Sequence, residues 1–328
     1  MDFTGRQMKP SIPIDSFESE ITMSLRKSSG IVCCLLAAFF WGTTFVVQDK
    51  AADIIPPFTF LALRSFVGVL ALLPLYVAKT NYAKAHDVPT PVRNTRLLWA
   101  GGALCGVFLC AASALQQFGI GNNVGSPGKD AFITALYIVF VPLFSLAFGK
   151  RAEPHVYGCV VLALGGLWLL CMNESTLTTG DIQLIACSLV FACQMVLVDL
   201  IGTRADAVAL STVQFLTVGV LSLILAVIFE TPTLSGVLSG WWTYLYAGVF
   251  SSGVAYTLQI VGQQRIPSAA ACLLLSLESV IAVISGMVVL RLFPTPVELI
   301  GMVLIFIAII LSQIPFRYRK TAPSPDGK

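Results

Sequence analysis

Ile31 to Gln48 is a run of 18 residues without a charge, IVCCLLAAFFWGTTFVVQ, set behind the basic pair Arg26-Lys27. At about 1.5 Å per residue, a helix of this length nearly crosses a hydrocarbon core of roughly 30 Å. A short polar turn closed by Pro56-Pro57 follows, and then a second apolar run that holds one arginine, Arg64. The pair reads as a membrane hairpin whose returning helix carries a buried charge. Counted the same way, the chain has ten apolar segments, at 30–49, 57–78, 97–119, 131–148, 155–172, 180–201, 208–229, 241–262, 267–290 and 296–315. They are about twice as long as a barrel strand and do not alternate, so the expected class is an all-α membrane protein. Gly and Pro inside several runs are tolerated where neighbouring helices satisfy the freed backbone groups. Only 11% of the residues are charged, against about 25% in soluble domains. A length of 328 therefore does not imply two or three soluble domains, and a net charge of +3 gives no reason to expect nucleic acid as a partner.

Lysine and arginine set the orientation. With the first residue in the cytoplasm, the cytoplasmic loops and tails hold sixteen of these residues and the opposite side three, namely Lys50, Lys129 and Arg291. That asymmetry predicts both termini in the cytoplasm, which an even number of crossings requires. The first apolar run starts late and is long enough to span, so it is not read as a signal peptide.

The order of elements repeats. Five segments, a polar break at Asn173–Asp181 and five more segments follow one another. At an offset of 150 Gly30 meets Gly180, Trp41 meets Phe191 and Asp49 meets Asp199. Leu115-Gln116 is echoed by Leu258-Gln259, and Pro127 by Pro267. Because five is odd, the second unit must run opposite to the first, giving ten transmembrane helices in two inverted five-helix repeats. The expected division is a cytoplasmic tail at 1–28, repeats at 29–173 and 179–315, and a second cytoplasmic tail at 316–328.

Four stretches carry a family resemblance. They are WGTTFVVQDKAADIIPPFTFLALR (Trp41–Arg64), GKDAFITALYIVFVPL (Gly128–Leu143), GVAYTLQIVGQ (Gly253–Gln263) and LSLESVIAVISG (Leu275–Gly286). In this order they resemble an EamA-type member of the drug/metabolite transporter superfamily. The resemblance implies a transporter with a central cavity lined mainly by helices one, three, four, six, eight and nine. The chain departs from the pattern after helix nine, where Leu290-Arg291-Leu292 stands in place of a frequent Gly-Glu pair.

The polar residues inside the spans are the candidate cavity wall. Trp41, Thr44 and Gln48 lie at i, i+3, i+7 and share a face. Ser113, Gln116 and Gln117 cluster on helix three, Thr134 and Tyr137 on helix four, and Ser252, Tyr256 and Gln259 on helix eight; helix six adds Gln194. Pro142 is expected to bend helix four. Ser, Thr and Gln also join membrane helices by hydrogen bonds, so packing is the competing reading for each of them. Glu278 lies more than ten residues from either end of its apolar run. A charge at that depth costs about 2.5–3.5 kcal/mol and is expected to face a partner or a cavity. Arg64 is the companion cation. Lys129-Asp130 and Asp49-Lys50 are read as solvated helix ends, and Asn173-Glu174-Ser175 as a glycosylation pattern poorly placed for use.

The resemblance implies a secondary transporter that exports a small metabolite, an amino acid or a related compound, across a plasma membrane of bacterial inner-membrane type. The expected partners are that small-molecule solute and the lipid bilayer. The rival is an intramembrane enzyme or lipid-handling protein using the same polar groups. Neither G-x-S-x-G nor H-E-x-x-H occurs, and both histidines, His86 and His155, fall in loops or at the edge of one. The nine cysteines form no C-x-x-C pair, and no Walker motif is present, so no cofactor or metal is expected. A channel remains open, to be separated by saturable flux.

Overall fold

The computed structural model describes residues 14–86, 95–123, 126–149, 154–171, 178–202 and 204–313. Among them every regular element is helical: α1 (Ile14–Ala52), α2 (Pro57–Ala85), α3 (Thr95–Asn122), α4 (Pro127–Thr134), α5 (Tyr137–Ala147), α6 (Pro154–Cys171), α7 (Thr179–Gly202), α8 (Ala207–Phe229), α9 (Leu234–Ser239), α10 (Trp241–Tyr246), a π-helix (Ala247–Ala255), α11 (Tyr256–Gln263), α12 (Ser268–Leu275), α13 (Leu277–Val289) and α14 (Pro296–Gln313). In lipid each backbone N–H and C=O must be paired within its own segment, which leaves helices as the outcome for apolar runs of this length.

Among the described residues, seven stretches are long and apolar enough to cross a membrane: Met23–Ala52, Pro57–Ala85, Thr95–Asn122, Pro127–Ala147, Thr179–Gly202, Ala207–Phe229 and Ser268–Val289. Large apolar side chains such as Leu70, Val161, Val227, Val288 and Phe293 are well exposed. Apolar surface on that scale suits acyl chains as its solvent. Within the expected tail at 1–28, α1 is already helical from Ile14. Residues 1–13 and 314–328 lie outside the described residues, as does Asn173-Glu174-Ser175.

Two helix ends are tied across the molecule in matching ways. Pro57 opens α2, where its missing N–H costs nothing. The next two orphan donors, Phe58 N and Thr59 N, are taken by Glu230 Oε1 and Oε2 at 2.7 and 2.8 Å. Glu230 follows the last residue of α8. At the other end of the same helix pair, Asp206 caps α8 by accepting from Val208 N and Ala209 N, at 3.0 and 3.1 Å, and pairs with Lys79 of α2. Each helix thus has its first turn held by a carboxylate beside its partner's end, which also suits the positive pole of the helix dipole.

Two crossings are interrupted halfway. Between α4 and α5 the amides of Leu136, Ile138 and Val139 bond three residues back rather than four, to Ile133, Ala135 and Leu136. The chain tightens into 3₁₀ geometry at that point. The break falls at Ala135–Leu136, upstream of Pro142, which stays inside α5. The tightened turn lies upstream of Pro142, the expected bend site, and has ended before the proline removes its donor. The second break is at Ser276, between α12 and α13, with no proline nearby. There Ser276 Oγ donates to Leu273 O at 2.8 Å and Ser279 Oγ to Ser276 O at 2.6 Å, so serine hydroxyls occupy the carbonyls of the broken turn. After α13, Arg291 takes a left-handed φ of 60°, where glycine is the usual residue. This is the position at which the chain departs from the pattern it resembles.

Candidate functional site

The interrupted helices meet α1, α2, α3, α7 and α11 around a cavity of about 400 Å³ of empty space, including the part open to solvent. Trp41, Phe45 and Gln48 reach it from one face of α1, and Arg64 from α2. Gln116 comes from α3, Thr134 and Tyr137 from the α4–α5 break, Phe191, Gln194 and Met195 from α7, and Glu278 from the start of α13. Ser251, Tyr256 and Gln259 complete the wall.

Seven of the nine expected cavity residues line this space: Trp41, Gln48, Gln116, Tyr137, Gln194, Tyr256 and Gln259. Arg64 and Glu278 join them. Thr44 does not; its hydroxyl donates to Phe40 O at 2.6 Å within α1. Ser113 is buried beside Tyr256 but is not itself part of the lining. Ser252 was expected on the face of Tyr256, but Ser251 takes that place. The reason is the π-helix: Tyr256 N–H bonds Ser251 O, five residues back. The wider turn moves the facing residue by one and leaves Ser252 against Gly68 of α2, where an added Cβ would meet Ser252 Cβ at 2.8 Å. Phe45, Phe191 and Met195 were not singled out from sequence. Helical spacing reaches Phe45 from Trp41, Phe191 from Gln194 and Met195 from Phe191, but apolar residues carry no signal that separates a cavity wall from packing.

The polar groups divide into joined and unjoined sets. Gln48 Nε2 donates to Gln116 Oε1 at 3.2 Å and Gln117 Oε1 at 3.1 Å, and Gln117 Nε2 donates to Gln48 O at 3.2 Å. These amides tie α1 to α3. Gln194 Nε2 donates to Gln214 Oε1 at 3.1 Å, while its own Oε1 has no protein partner. Gln259 is fully buried, and neither end of its amide is bonded; the same holds for Trp41 Nε1, Thr134 Oγ1 and Arg64 Nε. Buried polar atoms rarely stay unpaired, so these are groups for water or a polar solute to meet. Trp41 and Tyr256 stand edge to face, with ring centroids 4.6 Å apart.

Tyr137 OH donates to Glu278 Oε1 at 2.9 Å. Tyr137 is the first residue of α5 and Glu278 the second of α13, so Glu278 sits at the positive pole of a half-helix inside the span. Gly42 lets α1 pass directly beside it; a Cβ there would lie 2.5 Å from Glu278 O. No ion pair joins Glu278 to Arg64. The guanidinium of Arg64 lies 5.7 Å from the centre of the Phe60 ring.

Polar groups also gather where α3, α4 and α7 end. Asn123 Nδ2 donates to Asp130 Oδ1 and Asp181 Oδ1, both at 3.0 Å, and Lys129 Nζ meets Asp181 Oδ2 at 3.0 Å. Thr178 Oγ1 donates to Asn123 Oδ1 at 2.8 Å. Asp49, Asp130 and Asp181 are almost wholly buried. The expectation that Lys129-Asp130 and Asp49 are solvated is thereby corrected: three helix ends converge, Asn123 and Lys129 donate to the acids of α4 and α7, and Asp49 of α1 is buried beside Asp130. Beside this knot, Gly180 and Gly119 let α7 and α3 touch, since a Cβ on Gly180 would lie 2.7 Å from Gly119 O. A similar crossing occurs between Gly30 of α1 and Gly262 of α11, where a Cβ on Gly262 would lie 3.3 Å from Gly30 O. There the tie is one exposed bond, Arg265 Nη1 to Ser29 Oγ at 2.7 Å.

Comparison with known proteins bears on what such a cavity is for. The model of the EamA-like transporter family matches twice, at residues 28–172 and 178–313. A protein of Archaeoglobus fulgidus named an uncharacterized transporter is 27% identical over 280 residues, 85% of this chain and 84% of that one. The threonine/homoserine exporter RhtA of Escherichia coli (strain K12) is 27% identical over 267 residues, 78% of this chain and 81% of its own. A solved crystal structure superposes with a TM-score of 0.69 at 19% identity, over 87% of this chain and 96% of the other, a likeness of fold alone.

Proposed function

The chain belongs to the EamA-like transporter family, and from that premise we propose that it exports a small organic solute, an amino acid or a close relative, by alternating access. The observation that carries the reading is the polar cavity at two interrupted helices, with buried amide, indole and guanidinium groups that no protein group partners. Helix breaks that aim half-helix ends at a midplane site are how membrane proteins hold polar solutes. The family match and the long apolar helices make this a multi-pass membrane transporter. The named relatives support the amino-acid end of the solute range and the outward direction.

The proposed architecture adds α6, the α10–α11 stretch and α14 to the seven long apolar spans, making ten crossings. They form two inverted repeats, at 29–173 and 179–315. Three features support the inversion: the double family match, the two breaks after Pro127 and Pro267, and the paired glycine crossings at Gly119–Gly180 and Gly30–Gly262. The positive-inside count puts both termini, and the tails at 1–28 and 316–328, in the cytoplasm of a cell bounded by this membrane. Trp41, Gln48, Arg64, Gln116, Tyr137, Gln194, Tyr256, Gln259 and Glu278 are the solute-facing residues. Thr44 and Ser113 serve helix packing.

Counterflow tests the proposal. Protein in liposomes preloaded with unlabelled neutral amino acids should take up labelled amino acid transiently above equilibrium, and the rate should saturate. Flux that rises linearly with concentration and shows no counterflow would make the protein a channel and overturn the reading.

A further inference from the structure

Arg64 is about 2% exposed, yet among the described residues it has no carboxylate partner. Its Nε has no hydrogen-bond acceptor, and its nearest distinctive neighbour is the face of Phe60. Glu278 is buried on the same cavity with one donor, Tyr137. Tyr256 lines the same cavity as both, and no ion pair joins Arg64 to Glu278. Buried charges are normally compensated, because an unpaired ion in a low-dielectric interior is expensive. Here no described residue supplies a counter-charge for Arg64, and the guanidinium borders the space where a solute is proposed to stand. A planar fork of N–H donors matches a carboxylate better than any other small anion-bearing group except phosphate. Phosphate carries up to two charges, and only one arginine faces this cavity.

Resting on the transporter reading above, we infer that Arg64 is the anchor for the solute's carboxylate, and that the solute's cationic end lies toward Glu278 and Tyr137. The site then selects zwitterions. A solute with both charges compensates Arg64 and Glu278 together, whereas an amine or an amide leaves the guanidinium uncompensated. Trp41 and Tyr256, packed edge to face beside it, supply an apolar wall for the side chain.

The test uses the full chain, purified, and a series of probes that differ in one group. These are neutral L-amino acids, their primary amides, the matching alkyl amines and the matching 2-hydroxy acids. Thermal stabilisation reports binding, since a ligand of the folded state raises its Tm, and counterflow reports transport. We expect the amino acids to bind at least about tenfold more tightly than the amides and amines. In Arg64→Gln that preference should vanish, and Arg64→Lys should restore part of it by keeping the charge without the fork. Amides binding the unaltered protein as tightly as the acids would overturn the inference, and so would full discrimination in Arg64→Gln. The unaltered protein decides the matter even if both variants fail to fold. Saturable counterflow of amines or amides alone would refute the role of Arg64 and leave the transporter reading standing. Absence of counterflow for every probe would sink both.

Discussion

The hydroxyl of Tyr137 meets the carboxyl of Glu278 at 2.9 Å, and each residue opens the second half of an interrupted helix. The two breaks occupy matching places, eight residues into helices that begin at Pro127 and at Ser268 after Pro267. Their contact joins the two halves of the chain at the cavity. Any motion that separates α5 from α13 must break this bond, and any solute or proton that meets Glu278 competes with Tyr137 for it.

Glu278→Gln keeps shape and hydrogen bonding but removes the titration. The variant should fold, and its transport should be lost or should no longer respond to pH between about pH 5.5 and 8. Tyr137→Phe, which leaves Glu278 without its donor, should lower stability by about 1–3 kcal/mol in a thermal melt. If Glu278→Gln follows the parent's pH profile, the acid is a structural lock.

The knot around Asp181 should act as a closure at its end of the helices. A double-mutant cycle on Lys129→Met and Asp181→Asn is expected to show a coupling of about 1–3 kcal/mol, with the double variant less damaged than the sum of the singles. Additive losses would mean that the 3.0 Å ion pair contributes nothing specific.

Arg291 is exposed and holds a left-handed backbone that favours glycine. Arg291→Gly should therefore raise stability by about 1 kcal/mol without changing transport, as read by a melt and a flux assay. Destabilisation would show that the arginine side chain makes a contact worth more than the relief of strain.

The long helices were legible because uncharged runs of spanning length leave one choice of secondary structure. Most of the cavity was legible too, since Trp41, Gln48, Gln116, Gln194 and Gln259 are polar groups at depths where polarity is costly. Three features were hidden for separate reasons. The π-helix shifts the facing serine from Ser252 to Ser251, and a reading at α-helical spacing has no term for it. The break at Ser276 has no proline to announce it. Lys129, Asp130 and Asp49 looked solvated because proximity among three helix ends is a property of packing, invisible along one chain.

The central claim is that the two ends of the cavity open in turn. Exposed pairs sit at both ends: Asn122 donates to Gln183 at 2.8 Å beside the Asp181 knot, and Arg265 donates to Ser29 at the other end. Spin labels on 122 and 183 in one preparation, and on 29 and 265 in another, allow double electron–electron resonance distances in lipid discs with and without amino acid. Alternating access predicts a short and a long population for each pair, and a solute that favours one state should shorten one distance while lengthening the other. Both pairs lengthening together, or neither responding to a solute that binds, would contradict it.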